Sequence, residues 1–380
     1  MALGDLGGPL DSDEWWATNI LSFCFRHVTG VCYAVAFEDE AHNGQIVSKL
    51  ILADGTISNG YEDILEFSTG ACNTPDFIHV SGDVFAIVYQ GTDQDGFCVT
   101  VSIDAAGTIS NAVLSSFEFD TGNTYHPRIR HVYGNVYAIF YQSATSAGSI
   151  ATITIAADGT ITQSTIHTAN FIATQGVEPE PIQVAPNIFL THYRTNGFDS
   201  RMVTSVIANN GTITTPSLDT LATGIAYTAQ GQITNVIGDI FALVRVGPDT
   251  DGFINTFQVE QDGTIGADYI DQFEFDPTTC ASPDIVSIGQ GIVLVTNGIG
   301  AGSDSLVSIQ ISAAGDITDP VLDTLDIDPG NIGITNIIHI AGATYAVAFQ
   351  GTATDGFMST PTCITPGAGP GGYLPMMGVG

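Results

Sequence analysis

Basic residues are almost missing from this chain. It carries 7 of them against 40 acidic ones, for a net charge of −33. The one lysine is Lys49, and the arginines are Arg26, Arg128, Arg130, Arg194, Arg201 and Arg245. Such a surface repels phosphate backbones and anionic headgroups, which argues against nucleic-acid partners and against membrane insertion or surface binding. Only 12% of the residues are charged, which is low for a strongly halophilic protein. Long apolar runs are also lacking: no stretch of about 18 such residues occurs, so no bilayer-spanning helix is expected. Met1 to Leu10 holds no basic patch followed by an apolar run, so no secretory signal is expected. The six cysteines show no CxxC spacing and read as buried, reduced thiols rather than a disulfide or zinc framework. A hydrophobic content of 44% excludes general disorder.

A fixed period is what the chain does have. The turn Asp54-Gly55-Thr56-Ile57 returns around Gly107, Gly159, Gly211, Gly263 and Gly315, each step being 52 residues, and a further step falls on Gly367. Tyr33, Phe85, Tyr137, Phe189, Phe241, Val293 and Tyr345 keep the same spacing, as do Val28, Val80, Val132, Val184, Val236, Ile288 and Ile340. Within one period, residues 75–119 contain four short strand-like runs separated by Gly and Asp turns, which predicts an antiparallel meander. The run Val84 to Tyr89 is apolar on both faces, so each sheet must be covered on both sides. Four strands per period of about 50 residues, stacked face to face, describe a propeller blade.

The repeat therefore resembles a β-propeller of an uncharacterised type, over nearly the whole chain. It has no WD dipeptide and no kelch double glycine. Its Asp-Gly-Thr-Ile turn resembles the Asp box of sialidase propellers in position, but lacks the Ser or Thr before Asp and the aromatic after Thr. The expected fold is all-β, with seven blades of four antiparallel strands. The seventh copy has no fourth strand at its end, whereas Trp15 lies 52 residues before Phe67. Residues 1–16 are thus expected to supply the outer strand of blade seven and close the ring. Residues 17–365 form the propeller, and 366–380 a Gly/Pro-rich tail. The alternative, with Tyr373 to Val379 as that fourth strand, is disfavoured by Pro375 and the Gly369-Pro370-Gly371-Gly372 run.

Strand order sorts the connections by face. The Ser81-Gly82-Asp83 turn and the Asp-Gly-Thr-Ile turns share one face. The longer, variable loops share the other, where binding is expected. The candidate binding residues on that face are Glu38, Asp39, Asp93, Asp95, His126, Arg194, Asp249, Asp251, Asp304 and Asp355. Asp93-Gln94-Asp95-Gly96, Asp249-Thr250-Asp251-Gly252 and Thr354-Asp355-Gly356 resemble fragments of calcium loops without the late Glu, and Asx-turns explain them better. No cofactor or metal is expected, with Ca2+ the only one these loops leave open. A ring of His27, His79, His131, Gln183, Asn235, Ser287 and His339 recurs at one strand position; such repetition suits a buried hydrogen bond within each blade rather than a metal site.

No loop gathers an acid, a base and a nucleophile, so the sequence favours a non-enzymatic structural or binding protein. The acidic loop face and the surplus tail suit a virus or phage particle component, bound to other subunits of an assembly or to a host-surface glycan or protein. Its place would be the virion or extracellular particle surface, reached without a secretory signal. Tyr373, Leu374, Met376 and Met377 in the tail would anchor on the partner. One alternative is a carbohydrate-active propeller enzyme of sialidase or glycosidase type, which requires carboxylates with separated pKa values; Glu38, Asp39, Glu40, Glu178 and Glu180 are available, and Arg128, Arg130 and Arg194 are the only arginines near enough for a triad. The other is a cell-surface adhesin.

Overall fold

A computed structural model describes residues 2–226, 229–298, 304–318, 320–328, 333–351 and 354–364; of these, the side chains of 225, 226, 229, 230, 304 and 328 are not described. Six four-stranded antiparallel sheets and a seventh, which joins the N-terminal strands to the last described ones, make seven blades. Blade two shows the pattern: Asn73–Ser81 (strand A), Val84–Gln90 (B), Gly96–Ser102 (C) and Ser115–Asp120 (D), hydrogen-bonded in the order A-B-C-D. Strand A of each blade contacts strand A of the next, and that of blade seven returns to that of blade one, so the A strands surround the centre.

Alternation along strand B explains the stacking. Tyr33, Val35 and Phe37 pack toward blade seven, with Ala346, Ala348 and Met358. Ala34 and Ala36, between them, face blade two and meet Phe77, Phe85 and Ile87. Large residues on one face thus nest against small ones on the facing sheet, which fills each interface densely. All six cysteines are free and buried, as expected.

The recurring turn has a job that periodicity alone did not reveal. Gly55, Gly107, Gly159, Gly211, Gly263 and Gly315 all have φ between 85° and 93°, a left-handed conformation natural only to glycine. Each turns its carbonyl toward a hydroxyl in the preceding blade: Thr100 donates to Gly159 at 2.6 Å, Thr152 to Gly211 at 2.7 Å, Thr204 to Gly263 at 2.6 Å and Thr256 to Gly315 at 2.6 Å. Two residues later an isoleucine N–H donates backward, as Ile109 does to Asp63 at 2.9 Å and Ile265 to Asp219 at 2.8 Å. At the closure, Ser308 donates to the Gly4 carbonyl at 2.7 Å and Leu6 N–H to Asp323 at 2.8 Å, while Thr360 donates to Gly55 at 2.7 Å. Gly4-Asp5-Leu6 therefore serves as the seventh turn. The step that fell on Gly367 lies outside the described residues.

The N-terminus closes the ring as expected, in two pieces. Ser12–Trp16 pairs with Gly356–Ser359, and Leu6–Gly7 with Thr362–Cys363; Pro361, which cannot donate to the ladder, separates the two pieces of strand C. Trp15 is 1% exposed, stands edge-on to Phe37 at 5.3 Å, and donates Nε1–H to the Phe357 carbonyl at 2.9 Å. Lys49, fully buried, holds Asp13 of this strand and the carbonyls of Ser58 and Gly60. The chain's only lysine is therefore part of the closure.

The histidine ring ties together five of the seven blades, with one correction. His79 and His131 were expected to be buried, yet His79 is exposed and His131 half-buried. The hydrogen bond itself is present. Nε2 meets the glycine carbonyl of the A–B turn at 3.0 Å for His27, 2.8 Å for His79, 2.9 Å for His131 and 3.0 Å for His339, and the Asn235 amide does the same at 2.8 Å. The rings lie 4.9 to 5.2 Å from Tyr33, Phe85, Tyr137 and Tyr345. The turn lies at the edge of the molecule, which is why the bond is wet.

Candidate functional site

Strand A enters each blade from the face that carries the variable loops, and in blades two, three, four and six it enters through a bulge at one repeat position. The pairing shifts between Asn73 and Asp76, Tyr125 and Arg128, Val177 and Glu180, and Ala281 and Asp284. Within these bulges Thr74, His126, Glu178 and Ser282 take φ of 49°, 50°, 52° and 44°. Bulges of this kind re-aim side chains, and strained residues of this kind gather at functional sites. Two residues on, at the next inward position, the seven blades present Cys24, Asp76, Arg128, Glu180, Gln232, Asp284 and Asn336.

Four members of that ring, Asp76, Arg128, Glu180 and Asp284, are ionisable. Asp76, 2% exposed, accepts from Arg26 Nη2 at 3.0 Å, Arg130 Nη1 at 2.8 Å and the Ile129 N–H at 3.1 Å. Glu180 accepts from Arg128 Nε at 2.9 Å and Arg130 Nη2 at 2.8 Å. Arg130 is thus shared by both carboxylates. Three of the chain's 7 basic residues converge here on two carboxylates, an excess of one positive charge inside a molecule of net −33. Arg26 Nε and Arg128 Nη2 donate to no protein acceptor among the described residues. The Arg26 side chain is 37% exposed and those of Arg128 and Arg130 about a fifth.

The carboxyls of the ring are driven apart. Burial alone would raise the Asp76 carboxyl, but the guanidiniums of Arg130, Arg26 and Arg128 outweigh it and hold the group at about 2. Asp284, at the same repeat position four blades on, is pushed above the ordinary carboxylate value by burial, which the Ile337 N–H and the Asn336 amide only partly offset. Above them, His126 is half-buried, and loss of water lowers it to about 4; Glu178 pulls it up and Arg128 and Arg194 push it down. Arg194 and Glu178 form a two-point pair, both contacts at 2.9 Å. At neutral pH the site therefore offers a neutral His126 imidazole, an ionised Asp76 and guanidinium N–H groups within one mouth.

Of the candidate residues, the structure brings only His126 and Arg194 to this mouth. Glu38 is 3% exposed and holds His42 Nδ1 at 2.6 Å and Ser22 at 3.1 Å; Asp39 caps its own loop through the Ala41 and Asn43 N–H groups, both at 2.9 Å. Asp93 and Asp249 sit in single 3-10 turns at φ 60° and 63°, with Asp95 and Asp251 closing them. Asp355 occupies the same place in blade seven. These acids lie singly or in pairs on the loops of different blades, and among the described residues no three His, Cys, Asp or Glu side chains group as a metal site. The side chain of Asp304 and the tail residues Tyr373, Leu374, Met376 and Met377 lie outside the described residues. Arg26, Asp76, Arg128, Arg130 and Glu180 were not singled out as one site. Counting in steps of 52 from Asp76, as was done for the histidines, exposes the whole ring.

No protein-family model matches the chain, and no curated protein matches it. Solved structures of similar architecture do. A putative 6-phosphogluconolactonase from Bacteroides uniformis is 13% identical, with a TM-score of 0.55, covering 84% of this chain and 92% of that one. BBS1N in complex with ARL6DN is 7% identical, with a TM-score of 0.57, covering 96% and 99%. A periplasmic gluconolactonase of Pseudomonas aeruginosa is 14% identical, with a TM-score of 0.40, covering 76% and 94%. These likenesses establish the fold. The expectation of a non-enzymatic virus or phage particle component is corrected: none of these proteins is described as one, and a propeller among them is described as a putative 6-phosphogluconolactonase.

Proposed function

We propose that the protein is a carbohydrate-active hydrolase working at the loop-side mouth of the central channel, on a sugar derivative that carries a carboxylate or phosphate. The observation that carries this reading is the convergence of Arg26, Arg128 and Arg130 there, with unused guanidinium N–H groups, in a chain that has only 7 basic residues in all. Planar guanidiniums match carboxylate and phosphate oxygens two at a time. The acidic exterior does not prevent approach, because exposed charges are screened beyond about 8 Å at physiological salt.

The lactone of a phosphorylated or oxidised sugar is the first substrate to test, since the Bacteroides propeller is described as a putative 6-phosphogluconolactonase. In the reaction, Arg26 and Arg128 hold the anionic group. Neutral His126 accepts a proton from a water whose oxygen attacks the lactone carbonyl. A guanidinium N–H faces the oxyanion as it forms. The ring C–O bond then breaks and the proton passes to the departing oxygen, leaving a hydroxy acid. Glu178, anchored by Arg194, balances the imidazolium in between.

The test is acid release from 6-phosphogluconolactone and gluconolactone, beside fluorogenic sialoside and glucuronide substrates. Turnover of an anionic member, reduced about 100-fold or more in Arg128→Ala and His126→Ala, is expected. Absence of turnover on every member, or equal turnover in the variants, refutes it.

A further inference from the structure

The seven copies of the repeat let each blade be read against the others; blades four, five and six depart from the pattern, and the changes in blades four and five fall at adjoining positions. The outer strand carries Phe67, Phe119, Phe171, Phe275 and Trp15 at one place, each covering a glycine of strand C: Gly44, Gly96, Gly148, Gly252 and Gly356. Blade four has Thr223 and Ser200 there instead, and the Thr223 hydroxyl donates to the Ser200 carbonyl at 2.8 Å. A Cβ at those glycines would lie within 2.8 Å of the ring, so the serine is compatible only with the loss of the phenyl group. The two changes compensate one another and remove the aromatic plug from the gap toward blade five.

Blade five answers with charge. The place of Tyr89, Tyr141 and Tyr193 is taken by Arg245, and that of Val47, Val99 and Val203 by Asn255. Arg245 is 1% exposed; its guanidinium lies over Phe253 at 4.7 Å, where Tyr89 stacks on Phe97 at 5.7 Å in blade two. Its Nε donates to Asn255 at 2.9 Å, and Nη2 reaches Gln272 at 3.4 Å. The outcome is a cleft of about 330 Å³ lined by Thr223, Arg245, Pro248, Phe253, Tyr269 and Gln272. That is the size of a small-molecule site. Replacing a stacked tyrosine by a buried guanidinium runs against packing, and a fold built from repeats departs from its own rules where function demands it.

We infer that this cleft is a second binding site, for a small organic carboxylate with a flat apolar body. The carboxylate would meet Arg245 with Thr223 and Gln272, and the body would lie between Phe253, Tyr269 and Pro248. The site is formed by residues of blades four and five other than those of the arginine cluster and does not depend on the hydrolase reading. Benzoate is the probe, followed by calorimetric titration, with benzyl alcohol as the uncharged control. Saturable benzoate binding is expected, at least 10-fold weaker for benzyl alcohol. It should be lost in Arg245→Gln and in the double variant Ser200→Gly with Thr223→Phe, which restores the pair used by four other blades and so preserves folding. Arg128→Ala should bind benzoate as the parent does. Absence of saturable binding, or equal binding by the double variant, overturns the inference.

Discussion

Trp15→Ala tests the ring closure most directly. The indole is 1% exposed, packed at 5.3 Å from Phe37 and 6.2 Å from Phe23. Removing a buried ring of this size costs about 3–5 kcal/mol, and its hydrogen bond to the Phe357 carbonyl adds about 1 kcal/mol. Unfolding entropy of about 2.1 cal/mol/K per residue gives roughly 0.8 kcal/mol/K for the whole chain, so the melting point should fall by about 5–7 °C. Trp15→Phe installs the residue of Phe67, Phe119, Phe171 and Phe275; it keeps most of the burial and should lower the melting point by about 1–2 °C. Phe119→Ala makes a comparable cavity between covalently continuous blades. It should match Trp15→Ala in calorimetry yet remain monomeric, because only the closure can open an unpaired edge, on Gly356–Ser359. Calorimetry with light scattering at several protein concentrations decides the matter. If Trp15→Ala melts like Trp15→Phe, or associates no more than Phe119→Ala, the N-terminal strand does not close the ring.

Acid should weaken the fold in two stages. Burial, and then Arg245, holds His192 at about 3, so between about pH 6.5 and 3 the unfolded chain binds a proton that the folded chain does not; stability then rises with pH by about 1.4 kcal/mol per unit. His192→Phe, the residue of Phe140 in blade three, should flatten that slope in urea titrations, and an unchanged slope would refute it. Asp76 is held at about 2, so its contribution is present above about pH 4 and lost as the pH falls through 2. Asp76→Asn should cost about 3–5 kcal/mol by leaving Arg26 and Arg130 without their shared counter-charge; a loss under 1 kcal/mol would show that Glu180 suffices. Thr204→Val should cost about 1–3 kcal/mol by orphaning the Gly263 carbonyl. His79→Ala should cost about 1 kcal/mol or less, since its hydrogen bond is exposed.

Much of this was legible in advance because the period holds at 52 from Trp15 to the last blade. A 52-residue step without insertions carries blade number, strand order, loop faces and the Trp15 register on its own, since each copy needs its neighbours to bury both faces. The histidine pattern was legible as a fastener for the same reason. Its exposure was not, because the depth of a turn depends on where the blade ends in space.

The functional site was less accessible. Acidic loop tips such as Asp93 and Asp249 drew attention, yet each closes its own turn. Asp76, Arg128 and Glu180 sit 52 residues apart, with Arg130 beside Arg128, in strands that look unremarkable one at a time. Periodicity and alternation, which act through nearest neighbours, let the sequence by itself determine the architecture, the closure and the reduced cysteines. Only the tertiary structure decided which charges meet, because the A strands of separate blades come together at the centre, and because the lost phenyl ring at Thr223 becomes a cleft only when blade five packs Arg245 beside it.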